Sequence, residues 1–183
     1  MKRGRKDQLT GGSGDVNPQN MTVTVTQPAA DTPVAFAQNL PIPRFPTRTG
    51  YNLVIEALGL TIYRLQGQNI AANSNRRQTE SVTTRPNAPT NLLDQLQDPR
   101  KIAAWSTAFE TAAGATLGPV RDPVEKYIDL TDQAGHGVLI ATDVLYFVIT
   151  SANLNACQVV FQLEYRWKEV TLTEYIGIVQ SQQ

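Results

Sequence analysis

The residues best equipped for chemistry cluster around the only histidine. His136 stands in Asp132-Gln133-Ala134-Gly135-His136-Gly137, close in sequence to the carboxylates of Asp129 and Asp132. A histidine beside a carboxylate can form an acid–base dyad or a metal-ligand pair. The same residues can also form a tight turn, with glycine supplying positive φ and the Asp and His side chains capping backbone groups. No nucleophile motif accompanies them, and a single histidine cannot build a usual zinc site. The turn is therefore the expected role. We assign no catalytic residue, no metal site and no cofactor, and expect the protein not to be an enzyme.

Other candidate groups are weaker. Asp122, Glu125, Asp129, Asp132 and Asp143 supply oxygens that calcium accepts, but their spacing matches no EF-hand loop. Cys157 is the sole cysteine, which excludes an internal disulfide framework. It begins an apolar segment without a His-Asn partner pattern and reads as a buried structural thiol. Gly11-Gly12-Ser13-Gly14 lacks the Lys-Ser/Thr of a phosphate-binding loop and no strand precedes it.

Cations offer a different chemistry. The formal net charge is zero, yet Lys2, Arg3, Arg5 and Lys6 fall within the first six residues. The remainder then carries 12 basic against 16 acidic groups. A cationic tip on a mildly acidic body suits an anionic partner, nucleic acid before membrane. Four charges bind phosphates weakly and with steep salt dependence unless many copies act together. Arg166 and Lys168 share one face of an expected strand with Glu164. They form either a nucleic-acid-facing surface or a cross-strand ion pair. Aromatic residues do not interleave with the cations, so no base-stacking groove is expected.

The elements that position these groups read as β. Hydrophobic residues make up 41% of the 183 residues and charged ones only 17%, which suggests a surface that other subunits cover. No run approaches the ~20 apolar residues of a membrane span. No signal peptide is expected, because polar residues follow the basic start. Residues 1–20 lack apolar periodicity and read as a disordered arm, leaving 21–183 as the folded domain. Met21–Gln27 alternates Thr and Val, a strand that joins the main sheets or pairs with a neighbour. Pro28, Pro33, Pro41, Pro43 and Pro46 make the next stretch an extended connector or an edge segment.

Further strands are expected at 52–65, 79–85, 124–130, 137–141, 144–151, 158–170 and 174–180, with 66–78 as a loop. Residues 98–117 are ambiguous. Ile102, Trp105, Phe109 and Ala112 line a helix face, whereas Ala103, Trp105, Thr107 and Phe109 line a strand face. Counting that segment with the seven just named, and leaving Met21–Gln27 aside, gives eight strands. The fold class is all-β, a single eight-stranded jelly-roll sandwich.

Three stretches carry a resemblance. Leu40-Pro41-Ile42-Pro43-Arg44 leads into Val54-Ile55-Glu56-Ala57-Leu58. Asp129-Leu130-Thr131-Asp132 runs into Ala134-Gly135-His136-Gly137-Val138-Leu139-Ile140-Ala141-Thr142-Asp143. The third is Tyr165-Arg166-Trp167-Lys168-Glu169-Val170 followed by Glu174-Tyr175-Ile176-Gly177-Ile178-Val179-Gln180-Ser181-Gln182. Over residues 40–183 the chain resembles capsid proteins of circular, Rep-encoding single-stranded DNA viruses (the CRESS-DNA group, circoviruses among them).

The resemblance implies a homo-oligomer, a T=1 icosahedral shell of about sixty jelly rolls packaging circular single-stranded DNA. It places the protein in the virion, and in the host nucleus or cytoplasm during assembly. Lys2, Arg3, Arg5 and Lys6 then contact phosphates without reading sequence, with Arg166 and Lys168 as further candidates. Outer loops face a host receptor that the sequence does not identify, and no membrane is involved. The arm departs from the long Arg-rich arms of such proteins. Roughly 240 arm charges per shell fall short of one per phosphate for a kilobase genome.

Two other functions fit an all-β chain of this size. One is the coat protein of a small RNA virus or satellite virus. The other is a carbohydrate- or protein-binding β-sandwich, which needs an exposed aromatic platform from Trp105, Trp167 or Tyr175.

Overall fold

The computed structural model describes residues 18–28, 32–41, 50–65, 75–85, 100–110, 125–152 and 157–182. Among them, nine strands precede one helix. The strands are β1 (Gln19–Gln27), β2 (Val34–Asn39), β3 (Tyr51–Arg64), β4 (Asn75–Thr83), β5 (Lys101–Glu110), β6 (Glu125–Asp129), β7 (Val138–Ile140), β8 (Val144–Ala152) and β9 (Cys157–Thr171). The helix, α1, spans Leu172–Gln182.

The pairing is nested and antiparallel. β4 pairs with β5, β3 with β6, β2 with β8 and β1 with β9, as in one long hairpin. Rolling that hairpin brings β9 against β3 and β8 against β4. Two sheets result, β1-β9-β3-β6, with the short β7 also on β3, and β2-β8-β4-β5. This is a jelly roll, eight strands in two facing sheets with β7 as an addition.

Alternation along the strands builds the interior. On β1, Val23, Val25 and Gln27 are buried while Thr22, Thr24 and Thr26 are exposed, as the Thr/Val pattern requires. β9 contributes Val159, Phe161 and Leu163, and β8 contributes Leu145, Phe147 and Ile149 from the opposite sheet. The Phe147 and Phe161 rings meet across the sandwich at 5.2 Å between centroids. β8 and its neighbour β4 are buried on both faces, since Val148, Thr79 and Ser81 are inaccessible too. That explains why β8 reads as a continuous apolar run.

β3 changes face midway. Ala57 pairs with Tyr165 but Gly59 with Glu164, so Leu58 is an extra residue in the ladder. Such a bulge inverts the parity of everything beyond it. Ile55 and Ala57 face the core before the bulge; Leu60, Ile62 and Arg64 face it afterwards. Gly59 lets the Tyr127 ring lie over the bulge, since a Cβ would come 2.5 Å from the Tyr127 hydroxyl and push that exposed side chain aside.

Several expectations are corrected or resolved. Residues 174–180 are helix, not strand. Thr171 and Glu174 form a capping box: the Glu174 carboxylate accepts from the Thr171 N–H at 2.8 Å, and the Thr171 hydroxyl accepts from the Glu174 N–H at 3.3 Å. Tyr175, Ile178 and Val179 then pack on Val54, Ala141 and Val170. The segment around Trp105 is strand β5, with Ala103 in the core and Trp105 packed against it. Tertiary pairing with β4 overrides its helix propensity. β4 begins at Asn75, so Arg76-Arg77 lies in a strand rather than the expected loop. β1 joins the main sheet of its own chain. β2 is an edge strand between Pro33 and Pro41, which have no N–H to donate to a ladder. No helix among the described residues is long and apolar enough to cross a membrane.

Candidate functional site

The expected cationic groups fall in two places. Lys2, Arg3, Arg5 and Lys6 lie outside the described residues, as does Asp122 of the acidic set. Arg166 and Lys168 lie together on the outward face of β9, opposite Glu56 and Val54 of β3. The Leu58 bulge makes this possible, because without it Glu56 would share the inward face of Leu60 and Ile62.

Glu56 is 1% exposed, yet three donors converge on it. Arg166 donates through Nε to Oε2 at 2.5 Å, and Lys168 through Nζ to Oε1 at 3.2 Å. The Gly137 N–H reaches Oε1 at 3.0 Å. Burial pushes the carboxyl up, but these hydrogen bonds and the Lys168 charge outweigh it and hold the pKa below its ordinary value. Arg166 also donates to the Gly135 carbonyl at 3.4 Å. Gly137 sits so close to β3 that a Cβ would come within 2.1 Å of the Ala57 carbonyl oxygen. Glu164, two residues before Arg166 on the same face of β9, and Glu174, whose pKa the Lys168 charge helps to lower, add further carboxylates beside the two cations.

The loop carrying His136 is a turn. Asp132 Oδ1 accepts from the N–H groups of Ala134 and His136 at 2.9 and 2.8 Å, and Gly135 takes φ +80°. The His136 ring approaches Asp132 Oδ2 at 3.3 Å, with both side chains exposed. Asp129 caps Thr131 in the same manner. The Thr131 hydroxyl and then its N–H lower the Asp129 pKa, and the His136 N–H chiefly lowers that of Asp132. Both carboxylates thus serve their own turns. No group of three potential metal ligands converges among the described residues.

A second polar cluster lies between the sheets. Arg64 of β3 reaches Glu80 of β4 with two bonds, at 2.6 and 2.8 Å, and donates to Thr107 of β5 at 2.9 Å. Its guanidinium stacks on Trp105, 3.9 Å from the ring centroid. Gln78 donates to Glu80 at 2.7 Å and to Cys157 Sγ at 3.8 Å. Cys157 donates to Gln27, which donates to Ser151 at 2.6 Å. Burial raises the Glu80 pKa, with Arg64 and Gln78 pulling the other way. The thiol is buried in this network. Sequence reasoning missed Arg64 and Glu80, since neither sits in a recognisable motif.

Trp105 and Trp167 pack against the main core, and Tyr175 packs against the cluster under α1. None of the three offers an open aromatic platform.

The nested strand order and two facing sheets define this chain as a jelly-roll β-sandwich. No protein-family profile matches the sequence, and no curated protein matches it at a significant level. Solved structures do share the fold. VP1 of Trichodysplasia spinulosa-associated polyomavirus, in complex with GM1 oligosaccharide, superposes with a TM-score of 0.57 at 9% identity, covering 87% of this chain and 96% of that one. Merkel cell polyomavirus VP1 with GD1a oligosaccharide gives 0.54 at 8% identity, covering 87% and 97%. The unassembled pentamer of the same VP1 gives 0.54 at 9%, with the same coverage. These neighbours are viral capsid proteins. At such identities the likeness shows the fold.

Proposed function

We propose that this chain is a structural capsid protein that self-assembles into a small T=1 icosahedral shell of about sixty copies around circular single-stranded DNA. The observation that carries the reading is the nested jelly-roll order, shared with VP1 over 87% of the chain. Low charge content and the resemblance of residues 40–183 to CRESS-DNA capsid proteins support it further. One VP1 neighbour is a pentamer, so this fold can form rings of the kind a closed shell needs.

The basic arm precedes β1, whose ladder already takes in Gln19 and Asn20 of the expected 1–20 segment, and reaches the genome. Lys2, Arg3, Arg5 and Lys6 bind phosphates; Arg166 and Lys168 add the charge left after Glu56 is neutralised. The protein resides in the virion and assembles in the host nucleus or cytoplasm. Loops on the outer surface meet the host receptor.

Electron microscopy of the purified protein, followed by nuclease digestion of the extracted contents, tests the proposal. Uniform small shells with DNase-sensitive contents are expected. RNase-sensitive contents would move the assignment to a small RNA-virus or satellite coat protein. Absence of shells would overturn the capsid reading.

A further inference from the structure

Arg166, Lys168 and the Gly137 N–H converge on the two oxygens of one carboxylate, as donors do around a bound anion. Here the anion is the protein's own. Glu56 occupies the position with a carboxylate that is 1% exposed, while Arg166 and Lys168 are 30% and 28% exposed above it. The cations therefore face solvent only in part, and their charge is largely spoken for.

We propose that Glu56 is a built-in counter-anion that restrains phosphate binding on the outer face of the five-stranded sheet. This rests on the proposed packaging role and specifies how one of its contact sites is regulated. With Glu56 ionised, one of the two cations is offset directly. Glu164 on the same face and Glu174 near Lys168 stand beside them, so this face offers nucleic acid far less charge than the four cations of the arm. A nucleic-acid phosphate must compete with a carboxylate held by three donors from two elements. The bulge at Leu58 is what aligns that carboxylate with Arg166 and Lys168. Neutralising Glu56 leaves two cations and an N–H for the incoming phosphate.

The test uses the full chain freed of nucleic acid in high salt. Fluorescence anisotropy follows binding of an oligothymidylate across a salt series. Glu56→Gln, which keeps an acceptor for Gly137, should bind more tightly and steepen the dependence of log K on log salt by about 0.7, one extra phosphate on a single strand. Lys168→Ala, which leaves the Arg166–Glu56 pair, should flatten it by about 0.7. If Glu56→Gln does not fold, Lys168→Ala decides. A variant with Lys2, Arg3, Arg5 and Lys6 changed to Ala separates the two levels of the account. Arm-dependent binding with equal slopes in wild type, Glu56→Gln and Lys168→Ala overturns this inference alone. No salt-dependent binding in any variant overturns the packaging role with it.

Discussion

Glu56 and Arg64 occupy positions of the same parity on β3, yet they face opposite sides of the sheet. The extra residue at Leu58 turns Arg64 inward to Glu80 and leaves Glu56 outward under Arg166 and Lys168. One bulge thus separates a clamp between the sheets from a charge cluster on their outer surface. Each arrangement has a measurable consequence.

The Arg64–Glu80 pair should behave as a buried ion pair whose partners need each other. Arg64→Ala should destabilise the fold by about 3–5 kcal/mol, because it strands a buried carboxylate. Replacing both partners with apolar residues of similar volume should recover most of that loss. Urea unfolding followed by tryptophan fluorescence measures both; a double variant as unstable as the single one would contradict the assignment.

Glycine substitutions should split by place. Gly137→Ala drives a methyl into the Ala57 carbonyl and should cost about 1–3 kcal/mol. Gly177→Ala, in the middle of α1 with open space around it, should stabilise by about 0.5–1 kcal/mol. Thermal unfolding of both variants gives the comparison, and equal effects would mean that the helix or the β3 contact is misplaced.

The C-terminal helix is held at both ends. Thr171 and Glu174 cap its start; at its end the Gln182 side chain accepts from the Ala141 N–H at 3.0 Å and donates to the Leu139 carbonyl at 2.6 Å. Thr171→Ala should cost about 1 kcal/mol through the lost cap. Gln182→Ala should raise hydrogen exchange at Ala141 and along α1 while β8 and β9 stay protected. Uniform loss of protection would show that the helix is integral to the core rather than docked on it.

Acid should weaken the fold through Glu56. Its folded pKa lies below the ordinary 4.5, so its stabilisation is present above that value and is lost as pH falls through the folded pKa. Asp129, Asp132 and Glu174 are lowered as well and add in the same sense. Glu80 is raised and works oppositely, losing stability as pH climbs from its unfolded towards its folded pKa. Urea midpoints between pH 3 and 6 should rise with pH, and less steeply in Glu56→Gln. An unchanged slope in that variant would remove Glu56 from the acid response.

Much of the architecture was legible because alternation survives where a strand has one face in the core. Thr/Val in β1 and the long alternating β9 are of that kind. β3 was harder, since its bulge places Glu56, Ala57 and Leu60 at a spacing that mimics a helix. The capping signal Thr171-x-x-Glu174 was present, but a run of β-branched and aromatic residues beyond it reads as strand until the helix finds its seat on Val54 and Val170. Arg166 and Lys168 were visible by periodicity. Their partner was not, because Glu56 lies 110 residues away from Arg166 and on the correct face only through the bulge. Arg64 and Glu80 had no local signature, their meaning arising when two sheets close on each other.

The central claim is assembly, and sedimentation velocity recorded at 260 and 280 nm tests it most directly. The account predicts a closed particle with a protein shell of about 1.2 MDa, the mass of about sixty 20.1 kDa chains, made heavier by packaged nucleic acid that shows as excess absorbance at 260 nm. A 20.1 kDa species that stays monomeric across salt and pH would contradict it.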